Sequence, residues 1–170
     1  MKKITALFAL FISVALFTSC EGPEGARGPQ GAPGTTIESE VFEVTSSFSA
    51  TNDFSISVPL NPNILASDNV LVYELVGVFG GKDIWSPLPT QYYLNGGDLR
   101  YFFDFTRADI KIYLDSSIPV SDIPDQYRIN KTFRIVIIPG YFSMDNLSTD
   151  KLDVLLQELS VSPGAIQQLN

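Results

Sequence analysis

Hydrophobic and polar positions divide the chain into four stretches of different period. Ile4 to Phe17 is an apolar run broken only by Thr5 and Ser13, with no polar face. Gly22, Gly25, Gly28, Gly31 and Gly34 then recur at every third position. From residue 36 the period is two, and near the end of the chain it becomes helical.

The period-two region predicts a series of short strands. The first lies within 36–48, with Ile37, Val41, Phe42, Val44 and Phe48 set among Ser, Thr and Glu. Phe54, Ile56 and Val58 alternate with serines after the turn residues Thr51-Asn52-Asp53. Residues 69–79 are apolar on both faces, as suits a strand inside a sheet covered on each side. Gly80-Gly81 marks a hairpin, and the returning Ile84-Trp85, stopped by Pro87 and Pro89, reads as an edge. Residues 91–94 and 99–106 flank a second hairpin signal, Asn95-Gly96-Gly97-Asp98. Ile110, Ile112 and Leu114 form the next alternation, 115–130 a long polar loop, and 132–138 a last strand apolar on both faces. Leu152, Leu155, Leu156 and Leu159 then fall at helical spacing, with Ser148 as the expected N-cap and Leu147 placed to staple onto Leu152. Ser162-Pro163 begins one further helical turn.

The expected fold is mainly β: an antiparallel β-sandwich or partly open barrel of about 7–8 strands. A short C-terminal helix would cover one open end. The expected divisions are a signal peptide at 1–19, a lipidated cysteine with a glycine-triplet spacer at 20–35, a β domain at 36–140, and a helical tail at 141–170 packed on that domain.

Composition narrows the chemistry. In 170 residues there is no histidine and one cysteine, Cys20. Histidine triads, Cys–His dyads, zinc sites of His and Cys, and structural disulfides therefore cannot be built from this chain. The net charge is −8, and without residues 1–19, which hold Lys2, Lys3 and no acid, it is −10. A surface that acidic opposes sequence-independent binding of nucleic acid, which needs Lys and Arg to displace phosphate counterions.

The N-terminal stretch carries the most specific motif. Lys2 and Lys3, the apolar run and the small residues Thr18 and Ser19 before Cys20 have the three-part form of an export signal, too short for a comfortable membrane span. Phe17-Thr18-Ser19-Cys20 resembles the lipobox of bacterial lipoproteins, with Phe where Leu is commoner. That resemblance implies cleavage before Cys20 and acylation of it. Two or three acyl chains anchor stably where one is marginal. The glycine triplets have the collagen period, because only glycine fits the axis of a triple helix. Four triplets are few, so a monomeric polyproline-II-like spacer is taken over a homotrimer. Its thirteen residues would reach roughly 40 Å at about 3.1 Å per residue.

Candidate ligand contacts are Trp85, Tyr92 and Tyr93, whose rings on a proline-broken edge suit stacking on a sugar or peptide. Asp98, Asp104, Asp109 and Asp115 recur near hairpin ends. A pair such as Asp104 and Asp109 raises the alternative of an envelope hydrolase acting on glycan through paired carboxylates, although turn formation explains them more simply. Residues 143–150 gather oxygen ligands without the EF-hand pattern, and capping of the following helix accounts for them. No catalytic residue, metal site or cofactor is assigned.

Taken together, the lipobox, the glycine triplets and a β-rich domain of this size resemble small Bacteroidetes-type lipoproteins with a collagen-like stub. Asp83-Ile84-Trp85 followed by Pro87 and Leu88 also resembles a segment of that group. The resemblance implies outer-membrane anchorage, and Glu21 and Glu24 just after the cysteine are compatible with display on the cell surface. It implies no activity. The expectation is a non-catalytic binding or structural module held by lipid, meeting a glycan or protein ligand and no nucleic acid.

Overall fold

The computed structural model describes residues 39–169, and the compact unit that holds them spans 36–170. The expected signal peptide, Cys20 and the spacer glycines lie outside the described residues.

Among the described residues nine strands form two sheets. β1 (Glu40–Ser46), β3 (Asn69–Phe79), β4 (Lys82–Pro87), β8 (Lys131–Ile138) and β9 (Gln167–Leu169) make one sheet, ordered β4-β3-β8-β1-β9. The other sheet contains β2 (Ser55–Pro59), β5 (Thr90–Leu94), β6 (Gly97–Phe105) and β7 (Asp109–Ser116), in the order β2-β7-β6-β5. Every pairing is antiparallel except that of β1 with β9. The architecture is mainly β and sandwich-like, with no closed barrel.

Alternation along the strands builds the core. Val44, Val70, Val72, Ile135 and Ile137 of the larger sheet pack with Ile56, Val58, Leu99, Ile110 and Ile112 of the smaller one. The other face of the larger sheet is also apolar, which explains why β3 and β8 lack a polar face. Val41, Tyr73, Val136 and Ile138 there receive Leu152, Leu155 and the C-cap Leu159 of α1 (Leu152–Glu158), the one α-helix among the described residues. The expectation of a helix over an open end is thus corrected, because α1 covers a sheet face that would otherwise expose four large apolar side chains.

Turn chemistry follows the sequence closely. Gly80 and Gly81 both take positive φ (58° and 76°), as a two-residue hairpin matched to the strand twist requires. In the second hairpin Gly96 takes φ 94°, and pairing resumes at Gly97. Beyond its pairing with β8, β3 continues with β4 as a two-stranded ribbon, on which Val78 and Phe79 are 63% and 80% exposed.

Three local expectations change. Ser148 does not cap the helix. Lys151 occupies the N-cap, while the Ser148 N–H and hydroxyl donate to Glu158 at 2.8 and 3.1 Å. The loop 115–130 is not simply polar, since Ile118 and Ile123 are buried in the inter-sheet core. The tail is not wholly helical either. After the short turn Pro163–Ala165 it ends in β9, parallel to β1, with Leu169 packed on the inter-sheet core.

Candidate functional site

The three aromatic residues singled out from the sequence lie in three different environments. Trp85 on β4 faces the helix side and is half-buried. The guanidinium carbon of Arg134 sits 4.1 Å from its ring centroid and covers one face. Tyr92 on β5 faces inward, with ring centroids 5.0 Å from Tyr127 and 6.0 Å from Tyr101. Tyr93, the next residue, points outward from the smaller sheet and is 83% exposed. They do not make one stacking surface.

The aspartates are likewise dispersed among structural partners. Asp115 pairs with Arg100 at 2.7 Å on an exposed face. The Tyr113 hydroxyl donates to Asp104 at 2.7 Å, the Thr106 hydroxyl to Asp109, and the Ser117 hydroxyl to Asp98. In the 143–150 segment the Tyr73 hydroxyl donates to the Thr149 carbonyl at 2.7 Å, fastening the loop to the sheet. Among the described residues no group of three or more His, Cys, Asp or Glu is placed to hold a metal ion.

Polar chemistry concentrates instead around a residue the sequence reading passed over. Glu74 lies on β3 on the same face as Val70 and Val72, and it is fully buried between the sheets. Its Oε2 accepts from the Thr90 hydroxyl at 2.6 Å, and its Oε1 from the Tyr92 hydroxyl at 3.1 Å. Lys131 Nζ, on neighbouring β8 and 12% exposed at its side chain, stands 2.9 Å from Oε1. The same ammonium lies 5.5 Å from the Tyr101 ring centroid, and the Tyr101 hydroxyl donates to the Tyr127 carbonyl. Burial, then the nearby Glu74 charge, raises the pKa of both Tyr92 and Tyr101, so each phenol stays protonated and Tyr92 serves as a donor. One carboxylate thereby joins β3 and β8 of one sheet to β5 of the other. A single acid inside the apolar run 70–79 was the available signal, because such a group must find partners.

A second ladder crosses the helix-side face. Gln168 Nε2 donates to Glu43 Oε2 at 2.6 Å, Arg134 Nε donates to Glu43 Oε1 at 2.8 Å with Nη2 on the same oxygen, and Arg134 then stacks on Trp85. The ladder ties β9, β1, β8 and, across the intervening β3, β4. Burial alone would raise the Glu43 pKa, but the Gln168 and Arg134 hydrogen bonds and the Arg134 charge outweigh it and hold the carboxyl below its ordinary value.

No protein-family model, curated protein or solved structure matched this chain. The two networks and the β-sandwich therefore stand on their own geometry. What they can do is clear in chemical terms. Each charged group within them already has a short-range partner, and each network joins strands far apart in sequence.

Proposed function

We propose that this chain is a lipid-anchored envelope lipoprotein whose sandwich is a non-catalytic binding or structural module, attached to the outer membrane with display on the cell surface favoured. The observation that carries the reading is the position of the only cysteine, Cys20, directly after an apolar run with a basic start. The glycine triplets between Cys20 and residue 36 serve as a spacer, and the anchored molecule is a monomer.

The form of the sandwich supports a module rather than a reaction centre. Glu74, the one fully buried carboxylate among the described residues, is taken up by Thr90, Tyr92 and Lys131, and Asp104 and Asp98 accept from the hydroxyls of Tyr113 and Ser117. Such pairs hold strands in place. Glycoside hydrolysis calls instead for two carboxylates at a defined separation across a space for substrate.

Labelling with palmitate tests the anchor. The natural chain should take up label and partition into the outer membrane, and Cys20→Ser should do neither. Label entering the Cys20→Ser protein would sink the lipobox reading, and glycan turnover abolished by one Asp→Asn change would sink the non-catalytic one.

A further inference from the structure

Between the sheets a carboxylate and an amine are held in contact, away from bulk water. Glu74 is fully buried, and Lys131 Nζ stands 2.9 Å from its Oε1. The two residues lie on neighbouring strands. Glu74 is directly opposite Phe133, and Lys131, two places before Phe133 on β8, shares its face.

Backbone pairing fixes where both side chains start. Lys131 opens β8 opposite Ser46 of β1. Asn130 before it takes φ 52°, a left-handed conformation that Asn tolerates better than most residues, and its N–H donates to Ser47 Oγ at 3.0 Å. Glu74 is paired on both sides, with Ser86 of β4 and Phe133 of β8.

The carboxyl group has a hydroxyl donor on each oxygen. The Thr90 hydroxyl donates to Oε2 at 2.6 Å and the Tyr92 hydroxyl to Oε1 at 3.1 Å. Aromatic rings wall the site. Tyr92 packs on Tyr101 and Tyr127, and the Lys131 ammonium is 5.5 Å from the Tyr101 ring centroid. Removal from water penalises the ionic form of such a pair, and it also protects a bond formed there from hydrolysis. Holding amine and carboxyl in register makes their condensation effectively unimolecular.

We propose that Lys131 and Glu74 condense into an isopeptide bond in the folded protein, a covalent brace between β8 and β3. The ammonium passes one proton to Oε1 along the 2.9 Å contact, and the free amine attacks Cδ. As the Nζ–Cδ bond forms, negative charge collects on Oε2, where the Thr90 hydroxyl holds it. A second proton moves from Nζ to Oε1, directly or through the Tyr92 hydroxyl. The Cδ–Oε1 bond then breaks, and water leaves past the Lys131 side chain, which is 12% exposed. One ammonium and one carboxylate become one amide and one water, with no other reactant. The brace goes beyond the structural-module reading, and nothing in it depends on the lipid anchor, which palmitate labelling reads separately.

Peptide mapping of the full chain, denatured and then digested with trypsin, tests the bond. Trypsin cuts after Arg128 and Arg134, whereas a bonded Lys131 resists it. Residues 129–134 should therefore appear uncut at Lys131, joined to the fragment that holds Glu74, and one water lighter than the sum of the two. Lys131→Arg keeps the positive charge but loses the amine nucleophile, and its fragments should be separate. Thr90→Val should slow the appearance of linked fragment in freshly synthesised protein about a hundredfold, the effect of removing one such donor, and Thr90→Ser should restore it. The proposal is overturned if the natural chain releases residues 129–131 and the Glu74 fragment at unmodified masses. It is equally overturned if the Lys131→Arg protein still yields the linked fragment, or if the Thr90→Val protein forms it as fast as the natural chain.

Discussion

Trp85 and Arg134 stack across the larger sheet, the guanidinium carbon 4.1 Å from the indole centroid, while the same guanidinium binds Glu43. The indole is thereby part of the structure that ties β4, across the intervening β3, to β8. Trp85→Ala should remove about 2–3 kcal/mol of stability, combining lost packing on the helix-side core with a lost cation–π contact. Urea denaturation reads this directly. A loss under about 0.5 kcal/mol, in the range of ordinary surface substitutions, would mean that the ring is not part of the packed structure.

Glu43 makes the sheet sensitive to acid. Its folded-state pKa lies below the ordinary 4.5, so its stabilising contribution is complete above that pH and is lost as pH falls through the folded value. Glu43→Gln should lower stability at neutral pH and flatten the loss of stability below pH 4.5. Parallel acid-limb profiles for the two proteins would contradict this assignment.

Until it condenses, the Glu74–Lys131 pair should behave as a buried ion pair. Lys131→Met leaves the carboxylate at Glu74 without its counter-charge, at an expected cost of about 3–5 kcal/mol. Tyr92→Phe removes only one donor, and about 1–2 kcal/mol should go with it. Equal denaturation midpoints for the Lys131→Met and natural proteins would show that Glu74 does not depend on the ammonium.

Gly140 permits a close approach of two chain segments. A Cβ there would meet the Ser67 carbonyl oxygen at 2.5 Å and its Oγ at 2.6 Å, and the first of these is backbone. The Gly140 N–H also bonds Asp68 Oδ1 at 3.1 Å. Gly140→Ala should therefore destabilise by about 1–3 kcal/mol, as overpacking does. An unchanged thermal midpoint would show that the Ser67 segment moves freely aside.

High pH offers a check on the phenols. Burial comes first among the causes that raise the pKa of Tyr73, Tyr92 and Tyr101 above the ordinary 10.0. Their contribution is whole below pH 10 and is lost as pH rises towards the folded values. Alkaline unfolding should therefore begin above pH 10, and Tyr92→Phe should soften it. A profile identical in the two proteins would remove Tyr92 from the account.

Much of the fold was legible from particular residues. Double-faced apolar runs at 69–79 and 132–138 announced strands interior to a covered sheet, and Gly80-Gly81 announced the hairpin between β3 and β4. Pro87 and Pro89 announced an edge, since neither can donate to a ladder. Less legible was β9, because three residues are too few to show a period. The role of Ser148 also escaped, since a serine near a helix start bonds equally well to a carboxylate at the far end of the same helix.

By itself the sequence determined where β1 to β8 lie, where they turn and which side chains share a face, because alternation and turn chemistry act between near neighbours. It also determined the absence of histidine chemistry and of disulfides. Only the tertiary structure decided what each face meets. Glu74 finds Lys131 on another strand and Thr90 and Tyr92 across the sandwich, and Glu43 finds Arg134 and Gln168 at separations of 91 and 125 residues. Period two assigns a residue to a face but carries no record of which strand lies alongside or opposite. For that reason Trp85, Tyr92 and Tyr93, close in sequence, stand apart in space.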